Sequence, residues 1–263
     1  VNIRLLDPPL HEFLPKDEKT VKVIAEEIGV SVSQLEAKIA SIAEFNPMMG
    51  HRGCRLGITK PEIYKMQTEA IFRSAIKLHQ QGQEIKPEIM VPLIADQKEL
   101  EFIKNYLVQH IDQLFKQYDQ EPFPYEIGTM IELPRACLTA DKLAQEADFF
   151  SFGTNDLTQM TYGFSRDDIG KFIGHYKKMS ILSSDPFQHI DQEGVGELMR
   201  IAISKARQVK PNLSIGICGE VGGDPSSISF FQEIGVTYVS CSPYRVPAAR
   251  LAVAQAAFEE NKD

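Results

Sequence analysis

Two apolar runs of strand length in this chain each lead to a carboxylate. Ile127-Gly128-Thr129-Met130-Ile131 runs into Glu132 and then Pro134. Phe149-Phe150-Ser151-Phe152-Gly153 runs through Thr154 and Asn155 to Asp156. Oxygen ligands arriving from the ends of two buried strands suit a hard cation such as Mg2+, which takes few protein carboxylates and keeps positions open for substrate oxygens. Arg4 and Asp7 lie at the end of a first strand-like segment, Arg52 in a glycine-rich loop, and Cys218 before Gly219-Glu220. Arginines supply bidentate donors for a phosphoryl group, and the Asn155 amide can add another. A 2-oxo acid bound to the cation would be polarised toward its enolate. Cys218 is the strand-end residue with a proton to exchange near neutral pH. Each group also has a plainer use: Asp156 before Leu157 could cap a helix, Arg4 could serve in a salt bridge, and a strand cysteine is often an inert thiol.

What could bring these residues together is a regular alternation of strands and helices. Strands are expected at Asn2–Asp7, Pro87–Leu93, Tyr125–Glu132, Phe149–Gly153, Ser214–Cys218 and Thr237–Cys241. Between them, helical spacing and start and stop signals mark Asp17–Ile28 before Gly29, a capping box at Ser31 and Gln34, and a second at Thr59 and Glu62. Asp96 with Glu99 opens a helix whose apolar face is Leu100, Ile103, Leu107, Ile111, Leu114 and Tyr118. Further helices are expected over Leu138–Ala147, Gly194–Val209, Pro225–Gly235 and Pro247–Phe258, with a less regular stretch from Leu157 to Glu193. Continuous apolar strands alternating with helices imply a parallel sheet buried on both faces. The fold class is therefore α/β, a TIM (β/α)8-type barrel. With six strands rather than eight, and a strand at the first residue, the expectation is a barrel truncated at its N-terminus, starting at the third strand. Chemistry then belongs at the C-terminal ends of the strands, where the carboxylates, arginines, amide and thiol all fall.

The composition narrows the possibilities. With 263 residues there is room for one large barrel or two small domains, and no composition shift marks a linker. The net charge of −8 argues against non-specific nucleic-acid binding, yet leaves room for an anionic small substrate at a local arginine cluster. No apolar run of about 20 residues could span a membrane. Cys54, Cys137, Cys218 and Cys241 lack zinc spacing and read as free thiols of a reducing compartment, the cytoplasm or an organelle matrix. The six histidines show no metal spacing, and Gly222-Gly223 is a turn signal rather than a phosphate loop.

Longer stretches carry a resemblance: IRLLDPPLHEFLP (3–15), NPMMGHRGCRL (46–56), PEIMVPL (87–93), IGTMIELPRA (127–136), FFSFGTNDLTQMTYGFSRDD (149–168), GICGEVGGDPSS (216–227) and YVSCSPYRVPAARLA (238–252). Through them the whole chain resembles the C-terminal phosphoenolpyruvate/pyruvate-binding domain of the pyruvate, phosphate dikinase family of PEP-utilising enzymes. PEP synthase and enzyme I of the phosphotransferase system share the GTNDLTQ and CGE portions. The resemblance implies a TIM barrel with Mg2+ at Glu132 and Asp156. It implies phosphoryl contacts from Arg4, Arg52 and Asn155, substrate contacts from Gly153 to Asp156, and Cys218 as the acid/base at the substrate methylene. Arg166 is a further neighbour. The expected partners are pyruvate or phosphoenolpyruvate, the phosphohistidine domain of the same full-length enzyme, and a second copy in a homodimer. Residues 1–263 are expected to be a partial barrel domain without the nucleotide-binding and phosphohistidine domains, and so unable to run the full reaction alone. A PEP synthase or enzyme I-type domain and a non-catalytic dimerisation module are the alternatives.

Overall fold

The computed structural model describes residues 1–260. Its centre is a parallel sheet of β1 (Asn2–Arg4), β2 (Glu88–Val91), β3 (Glu126–Ile131), β4 (Phe149–Gly153), β5 (Ser214–Cys218) and β6 (Tyr238–Val239), paired in that order. Parallel neighbours require crossovers, and helices supply every one. Between β1 and β2 run α1 (Glu18–Ile28), α2 (Val32–Ile42), α3 (Gly53–Thr59) and α4 (Pro61–Gln80). α5 (Gln97–Gln117) joins β2 to β3, and α6 (Pro134–Leu138) with α7 (Ala140–Glu146) joins β3 to β4. α8 (Thr154–Tyr162), α9 (Ile173–Lys178) and α10 (Val195–Val209) lead to β5, α11 (Pro225–Glu233) to β6, and α12 (Val246–Glu260) follows. The sheet curls into a half-barrel: Asn2 Nδ2 on the first strand reaches the Tyr238 hydroxyl on the last, at 3.5 Å. Among the described residues no helix is long and apolar enough to cross a membrane.

Strand parity divides the sheet into two faces. Ile89, Val91, Ile127, Ile131, Phe150, Phe152, Ile215 and Ile217 face outward into the main core with the helices. The register aligns Arg4 with Met90, Met90 with Gly128, Met130 with Ser151, and Gly153 with Cys218. These residues line the inner face, where Met90, Met130 and Phe149 form a separate cluster with Cys218 against it. Two inner glycines make room for rings. A Cβ on Gly128 would meet the Phe149 ring at 2.6 Å, and one on Gly216 would meet the Tyr238 ring at 2.1 Å.

The helix signals are largely realised. Asp17 caps α1, and Gly29 ends it in the left-handed conformation at φ 71°. Capping boxes form at Ser31 with Gln34 and at Asp96 with Glu99. The expected box at Thr59 and Glu62 does not form. Gly53–Thr59 is already helical, and the Thr59 hydroxyl donates back to Arg55 O at 3.1 Å. The helix expected over Leu138–Ala147 is α7, Ala140–Glu146, with α6 as a separate short helix before Thr139, and the stretch after Gly153 opens directly into α8.

Candidate active site

Glu132 follows the last residue of β3 on the inner parity, and it is completely buried. Its Oε1 accepts the Leu93 backbone N–H at 2.6 Å. Its Oε2 has no hydrogen-bond partner. The space beside Oε2 exists because residue 153 is glycine: a Cβ there would stand 2.3 Å from Glu132 Oε2. Burial, followed by the charges of Asp156 and Asp7, pushes the Glu132 carboxyl up to about 8; the Leu93 N–H and Arg52 act in the opposite direction. An unpartnered buried carboxylate oxygen is costly. A divalent cation would satisfy it, so the donor set fits one. Among the described residues no three His, Cys, Asp or Glu side chains form a closed metal cluster. Two carboxylates with remaining positions for water or substrate oxygens match the habit of Mg2+ rather than of a structural zinc.

Arg52, placed at the start of α3, is buried between two carboxylates. Nε and Nη2 donate to Asp7 at 3.2 and 2.9 Å, while Nη1 and Nη2 donate to Asp156 at 3.2 and 3.0 Å. Burial opposes the charge, but the Asp156 and Asp7 carboxylates outweigh it and hold the guanidinium proton more tightly than usual. The backbone makes this possible. Gly53 takes φ +55°, its N–H bonds to Asp7 O at 2.9 Å, and a Cβ there would meet Leu93 Cβ at 2.8 Å. Arg52, expected at the phosphoryl group, lines an outer cavity beside Arg4 and Asn155, with its donors on Asp7, Asp156 and Met48 O. Asp156 was expected at the metal, and both its oxygens accept from Arg52. Each carboxylate oxygen has two lone pairs, so the Arg52 bonds leave one apiece for a cation.

Two cavities meet at this rim. One of about 310 Å³ is lined by Arg4, Met90, Met130, Glu132, Gly153 to Asp156, Cys218 and Gly219. The other, about 320 Å³, opens outward past Arg4, Asp7, Glu12, Met48, Gln159 and Arg166. Arg4, Asn155 and Asp156 line both. The Arg4 side chain is 46% exposed and pairs with Asp7 only at 3.5 Å, so its donors remain available. Cys218 Sγ lies 3.3 Å from Phe152 O, and burial raises the thiol to about 11, so it is protonated at neutral pH. The Thr154 hydroxyl donates to Cys218 O at 3.0 Å and thereby ties the end of β4 to the end of β5. Its backbone N–H lies in the first turn of α8, where N–H groups lack intrahelical partners.

The structure thus gathers Arg4, Glu132, Gly153, Thr154, Asn155, Asp156 and Cys218 around the inner cavity and sets Arg52 on the wall of the outer one, bonded to Asp156. Sequence reasoning missed the Leu93 N–H on Glu132, because a backbone donor leaves no mark on residue type. It also missed Met90 and Met130 as lining residues, although the parity Gly128, Met130, Glu132 was there to be read.

The chain matches the family described as PEP-utilising enzyme, PEP-binding domain, over residues 1–258. It is 55% identical over 258 residues to a pyruvate, phosphate dikinase of Clostridium symbiosum, covering 98% of this chain and 29% of that protein. It is 52% identical to the chloroplastic pyruvate, phosphate dikinase of Mesembryanthemum crystallinum, covering 97% and 27% respectively. It is also 52% identical to that of Rickettsia bellii (strain RML369-C), covering 97% and 29%. The chain therefore spans less than a third of the length of these curated relatives.

Proposed function

The chain belongs to the PEP-binding domain family of the PEP-utilising enzymes, and on that premise we propose that it hosts Mg2+-dependent phosphoryl transfer between a phosphohistidine and pyruvate or phosphoenolpyruvate. The observation that carries the reading is Glu132: a buried carboxylate with one oxygen held and the other unpartnered, facing a cavity shared with Asp156, Arg4 and Cys218. Relatives named pyruvate, phosphate dikinase support this substrate class. The phosphohistidine is assigned to another part of the full-length enzyme, and a homodimer is part of the same reading.

Glu132 and Asp156 would hold Mg2+, which when bound supplies Lewis-acid stabilisation of the enolate oxygen. The chain's own residues do the rest. The first-turn N–H groups of α8 receive the substrate carboxylate. Arg4, the exposed arginine at the junction of the two cavities, offsets phosphoryl charge together with the Asn155 amide. Arg52, on the wall of the outer cavity, holds Asp156 and Asp7 in place. The inner cavity is walled by Met90 and Met130, a surface that keeps water from the reacting carbon. Cys218, protonated at rest, donates its proton to the methylene carbon of the enolate as pyruvate forms; in the other direction its thiolate takes a methyl proton. Cytoplasm or an organelle matrix is the proposed setting, in keeping with four free cysteines.

Oxalate, a planar dianion shaped like the enolate, tests the site by calorimetry with and without Mg2+. Wild-type protein should bind it only with the metal, and Glu132→Ala and Asp156→Ala should abolish binding. Unchanged binding in both variants would remove the metal assignment.

A further inference from the structure

Leu93 adopts φ 64°, a left-handed conformation disfavoured for any residue with a Cβ. A glycine would take it freely, yet this position holds a leucine whose side chain is fully buried in the main core. Its surroundings enforce the conformation. The Thr129 hydroxyl donates to Val91 O at 3.0 Å, and the Cys54 N–H donates to Pro92 O at 3.1 Å. The Cys54 thiol donates to Leu93 O at 3.0 Å. Burial holds that thiol far above the ordinary range, so it remains a donor. Gly53 lets the two segments approach, since a Cβ there would come within 2.8 Å of Leu93 Cβ. The product of this packing is one directed bond, from Leu93 N–H to Glu132 Oε1 at 2.6 Å.

We infer that Leu93 and Cys54 are positioning residues for Glu132: the left-handed Leu93 peptide, locked by the Cys54 thiol, fixes the carboxylate so that the protein holds Oε1 and the cavity receives Oε2 as a single-oxygen ligand for a divalent cation. The inference rests on the reading of Glu132 as a metal ligand. A carboxylate free to rotate could turn both oxygens to the cavity or neither. Here one oxygen is claimed by a backbone donor whose own geometry is strained, and the other is buried without a partner beside Gly153. Strain of this kind persists only where the surroundings over-determine it, and it concentrates at functional sites. Groups that orient metal ligands without touching the metal commonly affect affinity by 10- to 100-fold.

The test is Mn2+ binding, followed by electron paramagnetic resonance, in protein carrying the α-hydroxy analogue of leucine at position 93. That ester removes the N–H and keeps the side chain. Mn2+ affinity should fall by about tenfold. Cys54→Ala should weaken Mn2+ by a smaller factor, and Cys54→Ser, which keeps a donor, should restore it. A merely structural role would lower the Tm of the metal-free variants and leave Mn2+ affinity at the wild-type value. Glu132→Ala separates the two claims. If it binds Mn2+ as wild-type does, the ligand reading of Glu132 fails and this inference falls with it. If it loses Mn2+ while the ester and Cys54→Ala keep wild-type affinity, the positioning role alone is overturned.

Discussion

Replacing Glu132 by Gln should stabilise the metal-free protein at alkaline pH, and the sign follows from the burial of this carboxyl. Its folded-state pKa is raised from the ordinary 4.5 to about 8, chiefly by burial and then by Asp156. Below both values the group is protonated in folded and unfolded chains and contributes no pH dependence. Between them the folded state binds the extra proton, so stability falls as pH rises, by about 1.4 kcal/mol per pH unit. The full span sets a ceiling of about 5 kcal/mol, and water reaching Oε2 through the cavity reduces it, so a loss of roughly 2–5 kcal/mol is expected. Glutamine keeps the acceptor for Leu93 N–H and has no charge to desolvate. Urea unfolding in a chelator should therefore show wild type and Glu132→Gln similar near pH 5 and separated near pH 8, with the variant more stable. For a chain of this size the gap corresponds to a Tm difference on the order of 10 °C. Excess Mg2+ should narrow the gap, since only wild type gains ligand stabilisation, about 2.7 kcal/mol at 100 times the Kd. A wild-type to Glu132→Gln difference that does not change between the two pH values would refute the reasoning, because a carboxylate stable in its charged form needs no cation.

The other predictions follow from the same few contacts. Arg52→Met should destabilise by about 2–4 kcal/mol in denaturant titrations, because Asp7, mostly buried, keeps only its 3.5 Å contact with Arg4, and Asp156 loses its guanidinium partner. Arg52→Lys should rescue little of that loss, since a lysine cannot make paired bonds to both carboxylates. Gly153→Ala places a methyl 2.3 Å from Glu132 Oε2 and 2.7 Å from Met130 Cε; it should abolish Mn2+ binding and cost about 1–3 kcal/mol of stability. Cys218→Ala should keep Mg2+-dependent oxalate binding and lose exchange of the pyruvate methyl protons in the full-length enzyme, read by NMR in D2O. Exchange at the wild-type rate would remove Cys218 from proton transfer.

Strand segments were the most legible part of the fold. β4 and β5 fall on the residues their apolar runs mark, because strands buried on both sides are nearly continuous in hydrophobicity. Helix starts at Asp17, Ser31 and Asp96 were equally plain, since a capping side chain satisfies a local backbone need. The misread start at Thr59 shows the limit. Its sequence carries a capping box, but the preceding turn was already helical and claimed the hydroxyl. Helix α8 was missed because its start, Gly153-Thr154-Asn155-Asp156, is shaped by the site rather than by apolar spacing.

The residue types and their places at strand ends determined, without coordinates, that the chain has a parallel α/β sheet and which carboxylates, arginines and thiol share its C-terminal rim. Those are consequences of short-range chemistry: hydrophobic period, caps and glycine breaks. Only the tertiary structure decided that Arg52, on the wall of the outer cavity, has its donors engaged by Asp7 and Asp156, that Thr154 holds Cys218 O, and that a leucine backbone claims one oxygen of Glu132. The physical reason is that each depends on atoms brought together across the sheet, 45 and 104 residues apart for Arg52 and 39 for Glu132. A charged side chain in such a place takes whichever partner burial leaves within reach, and no local pattern in the sequence records that choice.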